Sequence, residues 1–190
     1  MPKKPENSEN SEMNHSGPKM KSKLIKIKML LMDVDGVLTE GDIIYSSSGE
    51  ELKKFNIQDG MGITLARRAG LKTGIITGRS SEAVTKRAEE LKYDVISQGN
   101  FNKLKPYEEI RAQFGLEDEE IVYIGDDLPD LPVLQRVGYS VAVANARDEV
   151  KAVCDYITIA EGGKGAVREV IDKILKRQGK LFDLMEELSQ

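Results

Sequence analysis

Short apolar runs alternate with amphipathic segments of helical spacing along this chain, and this alternation constrains the fold more than any other feature. The runs are rich in Val, Ile and Leu and occupy 25–34, 72–77, 93–97, 120–125, 139–144 and 156–160. Strands that are separated by helices are joined by right-handed crossovers, which produces a parallel sheet covered by helices on both faces. The runs lack strict apolar–polar alternation, as expected of strands buried on both faces. The sequence therefore predicts an α/β fold with a doubly wound parallel sheet.

One segment after the first run departs from this alternation. Residues 41–60, GDIIYSSSGEELKKFNIQDG, contain two short strand-like stretches around SSSGE, which is typical of a β-hairpin. The segment is too small to form a second domain, and 190 residues are the size of one domain with a sizeable core. We therefore expect a single domain over residues 23–180 that carries a small hairpin insertion.

The two ends of the sequence differ from the domain between them. Residues 1–22 are rich in Pro, Asn, Ser, Glu and Lys, so they bury too little apolar surface to offset the entropy of ordering, and we expect a disordered tail. Residues 181–190 form a C-terminal tail whose large apolar residues recur at helical spacing. This tail either docks on its own domain or reaches a neighbouring active site and gates product release.

Composition excludes several classes of function. A net charge of -4 gives no basis for binding nucleic acid or an anionic membrane. No apolar run approaches the roughly 20 residues that cross a bilayer, and the start of the sequence lacks the apolar region of a secretory signal. The single cysteine, Cys154, fits a reducing cytoplasm. The only histidine, His15, lies in the expected tail, so catalysis through histidine triads is not expected.

Polar residues collect where four of the apolar runs end. Ligands of open parallel sheets bind beyond the carboxyl ends of the strands, so these residues are expected at one edge of the sheet. They are, in chain order, Asp33 and Asp35; Thr77, Gly78 and Arg79; Lys103; and Asp126, Asp127 and Asp130. Any one group has an ordinary explanation as a turn or a helix cap, but four strand ends in succession make coincidence a poor account.

The chemistry of this set points to a phosphoryl group and a hard metal. Asp33 and Asp126 are expected to face each other from adjacent strands, where like charges do not all stay ionised without a cation. Oxygen ligands with open coordination positions suit Mg²⁺, which also takes a substrate phosphate. A metal, a threonine hydroxyl and a lysine together clamp a phosphoryl group, and an aspartate serves as the nucleophile that forms an aspartyl phosphate.

The segments DVDGVLT, ITGR, the Lys of NKLKP and GDDLPD resemble the four motifs of the haloacid dehalogenase-like phosphatases, in the order of that family. The resemblance implies that Asp33 is the nucleophile and that Asp35 protonates the leaving oxygen and then activates water. Thr77, Gly78 and Lys103 would surround the phosphate. The carboxylates of Asp33 and Asp126 and the backbone carbonyl of Asp35 would bind magnesium, and Asp127 and Asp130 would support the site.

The second acidic position and the spacing of the motifs narrow the reaction. An acid at Asp35 implies hydrolysis of a phosphate monoester or phosphomutase chemistry, because dehalogenases of this superfamily do not need an acid there and its ion-pumping ATPases carry threonine. The intervals between Asp35 and Thr77 and between Lys103 and Asp126 are too short for a cap domain. A site without a cap needs another lid, and a neighbouring subunit is the obvious one.

The missing cap, the hairpin segment and GGKGAVREV at 162–170 resemble the 3-deoxy-D-manno-octulosonate 8-phosphate phosphatases. The resemblance implies a magnesium-dependent homotetramer in which a neighbouring subunit completes each site and an anionic sugar phosphate is the substrate. Arg79 is the first candidate to bind the carboxylate of the sugar acid. Further candidates are Lys164 and Arg168 for the substrate, and Gln58, Asp59 and Gly60 for the entrance to the site.

Three other functions stay open at this stage. The same scaffold serves phosphatases of nine-carbon sugar acid phosphates, such as a nonulosonate 9-phosphate. A signalling receiver domain also combines a doubly wound sheet with an acidic cluster, threonine and lysine, but its phosphoacceptor follows the third strand, where this sequence has SQGN. A non-catalytic interaction module is the third, and the four intact motifs count against it.

Overall fold

The fold is taken from a computed structural model, which describes residues 18–189 of the chain. The strands in this range are β1 Met29–Met32, β2 Ile44–Tyr45, β3 Glu51–Leu52, β4 Lys72–Ile76, β5 Val95–Ser97, β6 Ile121–Gly125, β7 Tyr139–Ala142 and β8 Tyr156–Ile157. Six of them form one sheet in the order β5-β4-β1-β6-β7-β8, and every pairing in this sheet is parallel. The remaining two, β2 and β3, form an antiparallel hairpin. The predicted doubly wound α/β fold with a hairpin insertion is confirmed.

Helices connect the strands of the sheet. They are α1 Pro18–Lys26, α2 Ile57–Arg68, α3 Glu82–Glu90, α4 Leu104–Phe114, α5 Leu131–Leu134, α6 Asp148–Lys151, α7 Ala166–Arg177 and α8 Leu181–Leu188. Within residues 18–189, only the hairpin and α2 separate β1 from β4, and α4 is the one α-helix between β5 and β6, so this part of the chain contains no cap domain. None of the helices in this range is long and apolar enough to cross a membrane.

The strand order places a crevice beside β1. This strand lies in the middle of the sheet, with β4 and β5 on one side and β6, β7 and β8 on the other. All four of its residues are buried, as are all five of β6, which explains why their sequences are continuously apolar. The chain moves outward from β1 in both directions, and ligands of such sheets bind where the strand order reverses. The carboxyl ends of β1, β4 and β6 therefore mark the candidate site.

Two predictions for the start of the chain need correction. Residues 18–22, predicted as tail, lie in α1, and the apolar run 25–34 yields a strand only from Met29 to Met32. The run begins at the end of a helix, because Leu24 and Ile27, three positions apart, are both 2% exposed whereas Ile25 between them is 61% exposed. The rest of the predicted tail, including His15, lies outside the described residues.

The C-terminal segment forms α8, which packs on the end of α7. Leu184 is buried, and Leu181 packs against the core. The other apolar residues of this helix, Phe182, Met185 and Leu188, are exposed. One face of α8 therefore docks on its own domain, which was the first of the two alternatives for residues 181–190. The other face is open to solvent. The last residue of the predicted tail, Gln190, lies outside the described residues.

Candidate active site

The carboxyl ends of the central strands enclose a cavity of about 360 Å³. Its lining includes eight of the residues predicted from the sequence: Asp33, Asp35, Thr77, Gly78, Arg79, Lys103, Asp126 and Asp127. Three lining residues were not predicted, namely Gly41, Phe101 and Pro129. The expectation that four strand ends converge is therefore supported at the level of single residues.

Lys103 lies at the centre of this cluster, with its side chain 2% exposed. Its Nζ lies 2.7 Å from Asp33 Oδ2 and 2.7 Å from Asp130 Oδ1. Desolvation opposes the charged form of this amine, but the carboxylates of Asp33 and Asp130 outweigh that effect and raise the pKa of Lys103. The side chain is consequently a fixed cation between the acids that follow β1 and β6.

Asp130 is a fully buried anchor whose two oxygens are both occupied. Oδ1 accepts hydrogen bonds from Lys103 Nζ and from the phenol of Tyr123, each at 2.7 Å. Oδ2 accepts the backbone N–H of Asp126 at 3.0 Å and that of Asp127 at 3.3 Å. Asp130 therefore fixes the loop after β6 and the position of Lys103, as a supporting residue would. Tyr123 was missed by the sequence analysis, because a tyrosine in a buried strand carries no signal beyond packing.

The other two acids of the cluster have oxygens that lack partners. Asp33 Oδ1 and Asp126 Oδ1 are buried, and neither accepts a hydrogen bond from any residue of the described chain. Burial and the neighbouring Asp130 raise the pKa of Asp33 to about 6, although Lys103 opposes the shift. Burial, followed by the charges of Asp33 and Asp130, raises the pKa of Asp126 to about 8. Buried carboxylate oxygens without partners are costly unless they bind a cation.

These acids fit a divalent metal. Asp33, Asp126 and Asp130 each offer an oxygen, and the three atoms lie within 4.8 Å of one another. Because both oxygens of Asp130 are already hydrogen-bonded, the free pair belongs to Asp33 and Asp126. Gly36 keeps the approach to this pair open: it has φ 90°, and a Cβ at this position would collide with the carboxylate of Asp126. Hard oxygen ligands with room for other groups are the environment of Mg²⁺.

Asp35 faces the cavity between two cations. Its carboxylate pairs with Lys53 Nζ and lies 3.8 Å from Nε of Arg79. Glu51 joins the same group, 3.1 Å from Lys53 Nζ and 3.3 Å from Arg79 Nη2. The side chain of Lys53 is only 1% exposed, so this amine belongs to the site rather than to the surface. It was missed by the sequence analysis, although Glu51 and Lys53 are two positions apart and share one side of an extended segment.

Thr77 and Gly78 connect the end of β4 to the loop that follows β5. Thr77 is 2% exposed, and its backbone N–H donates to Ser97 O at 2.9 Å. The carbonyl of Thr77 accepts the N–H of Asn100 at 3.1 Å. Gly78 lies against Phe101, whose backbone and ring would be 3.9 Å from a Cβ at this position. The backbone here is therefore held in place and open to a ligand.

Gln58, Asp59 and Gly60, predicted at the entrance to the site, do not line the cavity that the described residues of one copy of the chain form. They belong to the first turn of α2, where Asn56 caps the helix by accepting the N–H of Gln58 at 2.7 Å. Asp59 is 1% exposed and accepts N–H groups of Gly165 and Arg168 at 3.3 and 2.8 Å. Burial raises its pKa even though these N–H groups oppose the shift. Asp59 therefore ties α2 to the start of α7.

The two weaker substrate candidates also lie outside the cavity formed by the described residues. Lys164 is exposed and pairs with Glu161 at 2.7 Å and with Glu40 at 3.6 Å. Arg168 Nε pairs with Asp172 at 2.8 Å along α7. Within one copy of the chain, their charges are thus compensated by neighbouring acids, and Arg79 is the arginine that lines the cavity.

Comparison with known proteins identifies the family. The model of the haloacid dehalogenase-like hydrolases matches residues 93–171. The 3-deoxy-D-manno-octulosonate 8-phosphate phosphatase of Salmonella typhimurium is 43% identical over 164 residues, which are 86% of this chain and 87% of the relative. The chain belongs to the haloacid dehalogenase-like hydrolases. It is a phosphatase of this family, since the match to a phosphatase extends over nearly the whole chain.

Two crystal structures show how closely this haloacid dehalogenase-like phosphatase resembles solved relatives. The 3-deoxy-D-manno-octulosonate 8-phosphate phosphatase of Yersinia pestis is 42% identical with a TM-score of 0.85, over 87% of this chain and 89% of that one. The corresponding enzyme of Moraxella catarrhalis is 44% identical with a TM-score of 0.86, over 90% of this chain and 97% of that one. The latter structure is a complex with a magnesium ion, a phosphate ion and KDO.

Proposed function

We propose that this protein is a magnesium-dependent phosphatase that hydrolyses 3-deoxy-D-manno-octulosonate 8-phosphate to the free sugar acid and phosphate. The observation that carries the proposal is the convergence of Asp33, Asp35, Thr77, Lys103 and Asp126 on one cavity. Support for the substrate comes from the Moraxella relative, which is 44% identical and binds KDO, phosphate and magnesium in its crystal structure.

The reaction proceeds in two displacements at phosphorus. The Asp33 carboxylate attacks the phosphorus, and the bond from phosphorus to the sugar oxygen breaks while Asp35 gives its proton to that oxygen. Asp35 is then a carboxylate, and it takes a proton from the water that attacks the aspartyl phosphate. The products are phosphate and the regenerated Asp33. Lys103, held against Asp33 Oδ2, and Thr77 hold the phosphoryl oxygens and offset their charge.

Magnesium would be held by the two carboxylate oxygens that lack partners in the described chain, Asp33 Oδ1 and Asp126 Oδ1, together with the backbone carbonyl of Asp35. When bound, it supplies positive charge that stabilises the phosphoryl oxygens and allows the crowded acids to ionise together. Asp130 keeps its role as an anchor, and Asp127 caps the turn after β6 by accepting the N–H of Leu128 at 2.8 Å. This division of roles gives a function to all three acids of GDDLPD, Asp126, Asp127 and Asp130, and to the nucleophile of the first motif.

The sugar acid would be bound at the mouth of the cavity. Arg79 Nη2 and Nε are at present shared between Glu51 and Asp35, and the side chain is 42% exposed. A planar guanidinium at a rim is suited to the carboxylate of a sugar acid, which it binds through two parallel hydrogen bonds. A nine-carbon sugar acid phosphate is the second candidate substrate class, because the same arrangement would bind it.

We also propose that the protein is a cytoplasmic homotetramer in which a neighbouring subunit completes each site. The hairpin and the segment before it carry a group of exposed apolar side chains: Ile43, Ile44, Tyr45 and Leu52. Contiguous exposed apolar groups are typical of surfaces that associate. The measurement is the mass of the protein in solution, by light scattering. A monomer at micromolar concentration would contradict the proposal, and Ile44→Glu with Leu52→Glu should dissociate a tetramer.

The experiment that tests the function is phosphate release from the eight-carbon and nine-carbon sugar acid phosphates, with magnesium and with a chelator. We expect the eight-carbon ester to have the higher kcat/KM and the chelator to abolish release. A higher kcat/KM for the nine-carbon ester would reassign the substrate. Activity that does not respond to the chelator would contradict the metal, and absence of hydrolysis of any ester, an aryl phosphate included, would favour the non-catalytic module.

A further inference from the structure

Phe101 is the one aromatic residue among the described residues that line the catalytic cavity, and the mechanism above does not use it. Its ring lines the catalytic cavity beside Thr77, Gly78 and Arg79, yet the residue is 76% exposed. A single exposed apolar residue on a protein surface is ordinary and calls for no explanation. The position of Phe101 differs from that case because it borders the cavity in which the proposed function places the phosphate, the metal and the carboxylate of the substrate.

The loop that carries Phe101 is fixed to the phosphate-binding segment after β4. Asn100 N–H donates to Thr77 O at 3.1 Å, and Gly99 N–H donates to Arg79 O at 3.3 Å. The amide of Asn100 donates to Ser97 Oγ at 3.0 Å and to the carbonyl of Gln98 at 2.9 Å. The backbone on the N-terminal side of Phe101 is thus tied to the two residues that would hold the phosphate and the carboxylate. A group presented on such a loop binds its ligand without a large ordering cost.

The direction of the substrate follows from the position of the charged groups. The phosphoryl group must lie at the buried end, against Asp33 and Lys103, whose side chains are 12% and 2% exposed. The remainder of the ester extends outward between Arg79 and Phe101. A sugar acid phosphate has a carboxylate, hydroxyl groups and a face of C–H bonds. Arg79 is suited to bind the carboxylate. The exposed aromatic ring is suited to pack on the face of C–H bonds, because this contact removes apolar area of both partners from water.

We infer that Phe101 is a specificity residue whose ring packs against the carbon face of the sugar, so that it favours sugar phosphates over small phosphate esters. The inference rests on the proposed function, since it assigns a subsite to the same cavity. The residue is not required for phosphoryl transfer: its ring binds the part of the substrate that does not react. Its removal therefore weakens binding of the sugar without slowing chemistry on an ester that lacks one.

The test compares two substrates in one set of variants. For Phe101→Ala we expect KM for 3-deoxy-D-manno-octulosonate 8-phosphate to rise about fivefold with kcat little changed, because the lost contact is uniform binding. KM for acetyl phosphate, which is too short to reach the ring, should not change. Phe101→Tyr keeps the ring and should restore the KM of the sugar ester. Ile25→Ala is the matched control, since Ile25 is 61% exposed and precedes the opposite end of β1.

Three results would overturn the inference. An unchanged KM for the sugar ester in Phe101→Ala would exclude the contact. An equal change for acetyl phosphate would mean that the ring supports the phosphate-binding loop. A change in the solution mass of the variant would mean that the ring contacts a second copy of the chain. If the wild type prefers another sugar phosphate, the proposed substrate is wrong, and the same comparison on the preferred ester still decides the role of Phe101.

Discussion

Asp33 combines two features that suit a nucleophile: one oxygen is paired with Lys103, and the other accepts no hydrogen bond within residues 18–189. For Asp33→Asn we expect phosphate release to fall at least about 1000-fold, because the amide cannot form the acyl phosphate. The fold should persist, since Lys103 keeps its 2.7 Å contact with Asp130. Release is measured with saturating magnesium, and circular dichroism checks the fold. Asp148→Asn, at a fully exposed carboxylate, is the control, and near-normal turnover of Asp33→Asn would refute the assignment.

Lys53 is a buried residue of the site that lies outside the sequence motifs. Its buried amine holds Asp35 and Glu51 together, so Lys53→Met should leave the Asp35 carboxylate poorly oriented. We expect kcat to fall about tenfold on sugar and aryl phosphates alike, because both esters give the same aspartyl phosphate and Asp35 must activate the water that hydrolyses it.

The neighbouring lysine provides a matched control for this variant. Lys54 pairs with Glu40, its side chain is 74% exposed, and it does not line the cavity formed by the described residues. Lys54→Met should therefore retain the kcat of the wild type. Equal losses in the two variants, or a loss confined to KM in Lys53→Met, would show that Lys53 does not act through Asp35.

At the scale of elements, α8 is attached by one face. Burial of a leucine side chain such as Leu184 contributes about 2 kcal/mol, so removing residues 181–190 should lower Tm by roughly 4–8 °C. Because the described contacts of α8 are with its own domain, we expect kcat to be unchanged. Leu184→Ala should reproduce most of the loss of Tm, and Met185→Ala, at an exposed position, should not. Altered product release in the truncated protein would instead support a gate on a neighbouring site.

The elements that the sequence predicts well are those whose local signals agree with their burial. The end of α4 is an example: a glycine, Gly115, directly follows the last residue of the helix and takes the left-handed conformation with φ 60° at the C-cap. The start of α1 was missed because Ile25 and Ile27 also fit a strand. Asn56 gives a capping signal for α2, and overlooking it extended the predicted hairpin segment to residue 60, although α2 begins at Ile57.

The residues of the site also divide into those that the sequence predicts and those that it does not. Asp33, Thr77, Lys103 and Asp126 were predictable because parallel strands bring their carboxyl ends to one edge, whatever the details of packing. Lys53 was not, because its contact with Asp35 depends on how the hairpin folds back over the sheet. Long-range contacts made by inserted segments are not encoded in a local pattern.

At the scale of the whole molecule, stability should reflect the crowding of acids at the edge of the sheet. The pKa of Asp126 is raised to about 8 and that of Asp33 to about 6, whereas both are about 4 in an unfolded chain. Between about pH 4 and about pH 8 the folded state binds more protons than the unfolded state, so the free energy of unfolding falls as pH rises. The destabilisation is absent below about pH 4 and complete above about pH 8.

The Tm of the wild type and that of Asp126→Asn should therefore depend differently on pH, because the asparagine side chain cannot ionise. In chelator at pH 8 the variant should have the higher Tm, by roughly 4 °C, and the difference should shrink as the pH is lowered to 5. Saturating magnesium should reverse the order at pH 8, because a ligand that binds only the folded state stabilises it, and the variant lacks one of the two free carboxylate oxygens. Asp148→Asn, whose carboxylate is fully exposed, should follow the wild type throughout. A difference in Tm that is independent of pH would mean that burial and the neighbouring acids do not destabilise the ionised form of Asp126. Equal stabilisation of both proteins by magnesium would mean that the metal binds elsewhere.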